Sequence, residues 1–242
     1  MFLSLIRPFS SSSCIFTKRY VSTVHQGVAF ERHSLAVLRQ AMSMSLKRVG
    51  GKEDGGVDLI GWWWLPHNSM EPSTRTLHRR RLRVVGQCKA EKKKMGPNYV
   101  RELEGVLYRY MTDPKDRARH ISCEETDIRA ASALDFEMVA LLISQSPFTK
   151  STILRANSSS IPFLLLHLPA QPPETDTNVV SEELGTAWCN SALGGAQGLL
   201  EGCMDIRWER NPLGSGGRPA IYWNGSRLPS WLPPVDSELI AA

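Results

Sequence analysis

Four residues have the types and the spacing to do chemistry together: Glu31, Asp58, Gln87 and Lys89. Asp58 sits in GGVDLIG, and Gln87 and Lys89 sit in VVGQCKA. Both are apolar runs of strand character, interrupted by polar residues where a half-buried strand would repeat Val or Ile. Side chains alternate along a strand, so Gln87 and Lys89 share one face while Cys88 turns the other way, into the core. A carboxylate on one strand, with a carboxamide and an ammonium on the next, is a setting for a divalent cation and an activated water. The competing assignment is structural, with Asp58 and Lys89 as a buried ion pair. Asp54, in the Gly-rich turn before Asp58, reads as a solvated turn carboxylate.

These residues need a helix and two strands to hold them. From Gly27 to Lys47 the residues Phe30, Leu35, Leu38, Ala41, Met42 and Leu46 fall at roughly helical spacing, which predicts one amphipathic helix with Glu31 in its first turn. Glu31 there either answers the positive end of the helix or joins the site. Gly50, Gly51, Gly55 and Gly56 then permit a tight turn into the strand carrying Asp58. Trp62, Trp63 and Trp64 come next, and alternation cannot bury all three on one face. From Arg75 to Lys94 there are nine Lys and Arg residues against the single acid Glu91. A basic interval beside a cation site suits a phosphodiester backbone, which assigns Arg79, Arg80, Arg81, Arg83, Lys92, Lys93 and Lys94 to nucleic-acid contact. The neighbouring indoles would stack bases. A solvated basic loop with its Trp residues plugging the core edge is the plainer account.

Beyond the basic run, Asn98 to Met111 places Val100, Leu103, Leu107 and Tyr110 on one helical face behind Pro97. Phe136–Ser144 and Ile161–Leu168 read as buried strands, with a short helix from Pro147 to Asn157 between them. Strand, helix, strand in that order predicts parallel pairing. After the Pro-containing acidic stretch 170–183, Trp188–Cys203 reads as a helix loosened by four glycines. GSGG at 214–217 lacks the Lys-Ser/Thr continuation of a P-loop, and RPAIYWNGSRLPSWLPP predicts a terminal hairpin about Asn224-Gly225. His120 and His167 show no ligand spacing.

The 242 residues suffice for one sizeable core, and a formal charge of +5 permits a polyanionic partner. Five Cys at 14, 88, 123, 189 and 203 suggest neither a disulfide framework nor a zinc site. No apolar run approaches the ~20 residues of a membrane span. Residues 1–26 carry Arg7, Lys18 and Arg19, many Ser and no acid, the composition of a mitochondrial presequence.

Glu31 in a helix, GGKEDGGVDLIG, the basic interval, VVGQCKA and the helix at PNYVRELEGVL together resemble the Mrr-like branch of the PD-(D/E)xK restriction-endonuclease superfamily, in its Q-x-K form. With the leader, the chain also resembles the fungal mitochondrial "required for respiratory growth" family. The resemblance implies an α/β restriction-endonuclease-like core over residues 27–169, a mixed central sheet flanked by helices, and a small C-terminal extension over 170–242. It implies Asp58, Gln87 and Glu31 as ligands of Mg²⁺ or Mn²⁺, Lys89 orienting the attacking water, and hydrolysis of DNA in the mitochondrial matrix. A nucleic-acid-binding or scaffolding protein without catalysis is the other function class consistent with these residues.

Overall fold

A computed structural model describes residues 23–49, 55–67, 79–113, 137–170, 184–210 and 217–233. Asp54, His120, Cys14, Cys123, most of the leader, the acidic stretch and the GSGG loop up to residue 216 lie outside them.

The chain opens with α1 (Thr23–Ala41), which begins earlier than its apolar spacing suggested. Glu31 therefore sits mid-helix, and no acid occupies the first turn. The helix also stops sooner. Ser43 adopts a left-handed conformation at φ 56°, and Met44–Arg48 form a strand, β1, instead of a last helical turn. Met44 and Leu46 meet the core at strand alternation, a spacing that also continued the helical pattern.

Strands β2 (Leu59–Pro66) and β3 (Arg79–Lys89) follow, then α2 (Asn98–Thr112), β4 (Met138–Ser144), α3 (Lys150–Asn157), β5 (Phe163–His167) and β6 (Thr186–Cys189). They build one six-stranded sheet in the order β1-β2-β3-β4-β5-β6. It is mixed. β3, β4 and β5 run parallel, and the remaining pairs are antiparallel. The expected parallel pair around α3 is thus present, and α2 buries Val100, Leu103, Leu107 and Tyr110 as its periodicity required.

Two hydrophobic layers sandwich the sheet. On one side α1 packs Phe30, Val37 and Leu38 onto Leu59, Trp63, Leu82, Val84, Leu141 and Leu164. On the other, α2 and α3 cover Ile60, Val85, Ala140, Leu142 and Leu165. Trp63 is fully buried, one of many large apolar side chains each contributing roughly 1.5–3 kcal/mol.

Past β6 the expected long helix is absent. Trp188 and Cys189 belong to β6, and only one turn, α4 (Ser191–Gly194), is helical. A three-stranded sheet follows, β7 (Met204–Arg210), β8 (Gly217–Trp223) and β9 (Ser226–Arg227), with the expected turn at Asn224-Gly225 between the last two. Met204, Ile221 and Trp223 join the α1-side core, so this sheet packs on the main one. The 229–231 segment then straps the α1–β1 corner: Ser230 Oγ donates to Arg39 O at 3.0 Å and Trp231 N donates to Ser43 Oγ at 2.9 Å.

Asn190 joins these parts. Its carboxamide oxygen accepts from Phe163 N at 2.9 Å and Leu193 N at 3.0 Å, while Nδ2 donates to Ala156 O, Ser159 O and Ile161 O. It is 1 % exposed, so its removal strands several buried backbone groups away from water. Asn190→Ala is expected to cost roughly 3–5 kcal/mol of unfolding free energy in urea titrations, well above a surface substitution.

Candidate active site at the fork between β2 and β3

The β2–β3 ladder ends at Leu59 opposite Gly86. Just beyond that pair, the Asp58 carboxylate takes over the role of a strand backbone: Oδ2 accepts from the Cys88 amide at 2.7 Å. An N–H donating to a carboxylate is among the stronger neutral-donor bonds, and here it closes the fork from inside. The backbone of Asp58 is fixed on both sides, donating to Gly86 O and accepting from Val49 N, each at 2.9 Å. Gly55 and Gly56 lead in at φ 64° and 88°, a region L side chains rarely adopt. Arg109 of α2 pins that turn through Gly55 O at 2.6 Å.

Gln87 lies against the same turn, its Nε2 3.8 Å from where a Cβ on Gly56 would stand. The side chain is 6 % exposed, and Oε1 has no hydrogen-bond partner among the described residues. A buried carbonyl oxygen left that way costs free energy unless a cation, water or ligand group meets it. Lys89, two residues on, extends its ammonium over the Tyr99 ring at 5.5 Å. The Tyr99 hydroxyl in turn donates to Glu91, at 2.8 Å from Oε1 and 2.7 Å from Oε2, and that bond pushes its pKa up to about 12. The phenol stays protonated, and its ring gives Lys89 a fixed platform.

Glu31 arrives from the other face. Val85 belongs to the α2-side core and Cys88 packs on the α1-side core, so Gln87 and Lys89 face α2 while Glu31 faces Cys88 from α1. Its carboxylate is paired with Arg48 of β1. Burial, then the Asp58 carboxylate, and more weakly Glu31, push the Cys88 thiol well above the ordinary range, while Ser34 and Lys89 act the other way. Asp58, Glu31 and Lys89 are thus all electrostatic neighbours of one sulfur. The structure brings Asp58, Gln87 and Lys89 to one end of the sheet, and leaves Glu31 across it in an ion pair.

Among the described residues no group of three His, Cys, Asp or Glu is arranged to hold a metal ion. The end of the sheet at Asp58 instead offers one carboxylate and the orphaned Gln87 oxygen. Mg²⁺ commonly takes one or two protein oxygens and fills its remaining positions with water and substrate phosphate, so these two residues fit such an ion. Glu31, engaged by Arg48, does not fit as a third ligand in this conformation.

The basic interval is divided. Arg79, Arg80, Arg81 and Arg83 belong to β3 itself, not to a loop, and Arg79 stands roughly 33 Å along the strand from Lys89. Arg80 bonds Glu137 at 3.0 Å, Arg81 and Arg83 lie 4.6 and 4.8 Å from the Trp62 ring centre, and Arg79 lies 5.1 Å from that of Trp231. Trp64 meets Trp231 edge to face at 6.1 Å and donates to Ser45 Oγ. The expectation that these arginines flank the cation site is therefore corrected: they staple the opposite end of the strand. Lys92, Lys93 and Lys94 are exposed shortly after Lys89, at the same end of β3. Arg48 and Tyr99 escaped the sequence reading. Alternation at Met44 and Leu46 was the available signal for the strand that carries Arg48.

The Cys88 thiol holds its proton in the fold while an unfolded chain releases it above about pH 8.5, so the native state binds more protons there and loses stability as pH rises. The slope is expected to approach about 1.4 kcal/mol per pH unit for each such thiol. Urea titrations between pH 8 and 10 should show a shallower loss of stability with pH for Cys88→Ala than for the parent chain.

Residues 22–123, less than half of the chain, match the family described as Required for respiratory growth protein 7, and that stretch contains Glu31, Asp58, Gln87 and Lys89. A mitochondrial protein of Schizosaccharomyces pombe, named only as uncharacterized, is 45% identical over 92 residues, 38% of this chain and 33% of that protein. The chain thus matches about a third of that relative's length. Required for respiratory growth protein 7 of Saccharomyces cerevisiae, also a mitochondrial protein by name, is 24% identical over 221 residues, 77% of this chain and 82% of that one. No solved structure matches. From α1 through α2 the chain is therefore similar to a family of fungal mitochondrial proteins required for respiratory growth.

Proposed function

We propose that this chain is a mitochondrial, divalent-cation-dependent phosphodiesterase acting on DNA, with a restriction-endonuclease-like core. The observation that carries the reading is the fork: the Asp58 carboxylate is held on the amide between Gln87 and Lys89, and the buried oxygen of Gln87, the residue before that amide, lacks a partner among the described residues. The two oxygen groups would hold a hard cation such as Mg²⁺ or Mn²⁺. When bound, that ion supplies Lewis acidity at the phosphate and lowers the pKa of a water. Lys89, steadied over Tyr99, orients the attacking water and offsets charge developing on the phosphate oxygens. Lys92, Lys93 and Lys94 give the polyanion a landing surface at the same end of β3. Mitochondrial matrix action, in support of genome maintenance and respiratory growth, rests on the acid-free leader and on the names of the relatives.

Binding without hydrolysis is a second reading, favoured by the Glu31–Arg48 pair, which leaves Asp58 as the one acidic candidate ligand still facing the fork. The two part in a cleavage assay of the purified chain on supercoiled and single-stranded DNA with Mg²⁺ or Mn²⁺. Metal-dependent cutting that falls by at least ~10²-fold in both Asp58→Ala and Lys89→Ala is the expected result. Gln87→Glu, which adds a charge to the ligand pair, should lower the Mg²⁺ concentration needed for half-maximal cutting. Tight binding with no cutting by the parent chain would leave the second reading.

A further inference from the structure

The Glu31–Arg48 pair has a geometry that suits more than a staple. Arg48 ends β1 opposite Leu59, the residue after Asp58, and the next amide, Val49 N, donates to Asp58 O. The Arg48 backbone is therefore one residue along the neighbouring strand from Asp58, and its guanidinium lies with Glu31 at the same end of the sheet, on the α1 face, opposite the face of Gln87 and Lys89. It reaches Glu31 through Nε, the inner edge of the fork-shaped group. The two ends of the pair differ in exposure: the Glu31 side chain is 13 % exposed, the Arg48 side chain 39 %. The carboxylate thus lies toward the sheet and the guanidinium toward solvent, at the rim.

We propose that Arg48 is a phosphate-binding residue of this site and that Glu31 is its built-in counter-ion, which a nucleic-acid phosphate displaces. The proposal rests on the reading of the fork as a nucleic-acid site, but not on hydrolysis. A guanidinium donates from five N–H groups in a planar fork, so bonding through Nε leaves the outer Nη edge able to take a phosphate in two parallel bonds. While Glu31 holds the guanidinium, its charge is partly neutralised and the rim is less attractive to a polyanion. A phosphate on the outer edge competes for that charge and loosens Glu31. The Arg48 end of the pair is open to solvent while Glu31 is largely covered, so the exchange requires the phosphate to make both parallel bonds to the guanidinium.

The test is binding of a fluorescein-labelled duplex of 20 base pairs to the full chain in EDTA, followed by anisotropy across a salt series, with thermal melts confirming that each variant folds. Arg48→Met is expected to weaken binding roughly fivefold and to reduce the slope of log K against log salt by about one. Glu31→Gln is expected to tighten binding, and the Glu31→Gln/Arg48→Met double variant to bind like Arg48→Met alone, because the gain runs through the guanidinium. Affinity and slope unchanged in Arg48→Met would overturn the proposal. So would a Glu31→Gln gain that persists undiminished in the double variant, or a parent chain that does not bind duplex at all. A parent chain that binds with this pattern yet cuts nothing in Mg²⁺ would defeat the hydrolysis reading and leave Arg48 as assigned.

Discussion

One hydrogen bond organises the functional end of this fold: the Cys88 amide donating to Asp58. A regular antiparallel pair would carry β2 further along β3 and spend that N–H on backbone. The carboxylate replaces the strand instead, so β2 can leave the sheet through the Gly55–Gly56 turn without stranding a buried donor. Gln87 keeps a buried oxygen without a partner among the described residues, and the Asp58 carboxylate places a negative charge at the midpoint of the Gln87–Lys89 step. The same interaction that completes the backbone's hydrogen bonding thus assembles the candidate chemistry. Burial of Cys88 and the nearby carboxylates keep its thiol protonated, so the sulfur is a packing group and not a competing ligand.

The two ends of β3 divide structure from chemistry. At one end Arg79, Arg81 and Arg83 lie over indole rings and Arg80 is paired with Glu137, holding β2, β3 and the Trp231 strap together. At the other, cations remain available: Lys89 on its tyrosine platform and Lys92–Lys94 in solvent. A guanidinium over an indole keeps its charge while covering apolar surface, which is why a run of arginines can form the start of a central strand. Charge count along the sequence did not reveal that difference, because the partners of Arg79 and Arg80 are Trp231 and Glu137, distant in the chain.

Where one element's own residues decide the outcome, the sequence was legible. The apolar face of α2, the parallel strands around α3 and the Asn224-Gly225 turn follow from local pattern. That Gln87 and Lys89 share one face was also legible, because alternation alone puts them there. The failures have a common cause in tertiary override. Met44 and Leu46 fit a helix and a strand equally, and the left-handed Ser43, held by Pro229 and Trp231, settles the matter from the far end of the chain. Trp188–Cys203 has helical composition, but Leu165 pairs with Trp188 across the sheet and Asn190 caps a single turn. Glu31 was placed near the site, yet its face and its engagement by Arg48 depend on β1, which the reading lacked.

The central claim is that the fork is a cation site made by Asp58 and the Gln87 oxygen. Crystals of the full chain grown with Mn²⁺ test it directly through anomalous scattering. The account predicts an anomalous peak within about 2.5 Å of both an Asp58 carboxylate oxygen and Gln87 Oε1, lost in crystals of Asp58→Ala. A fork that stays empty at saturating Mn²⁺, or an ion bound away from both residues, would contradict it.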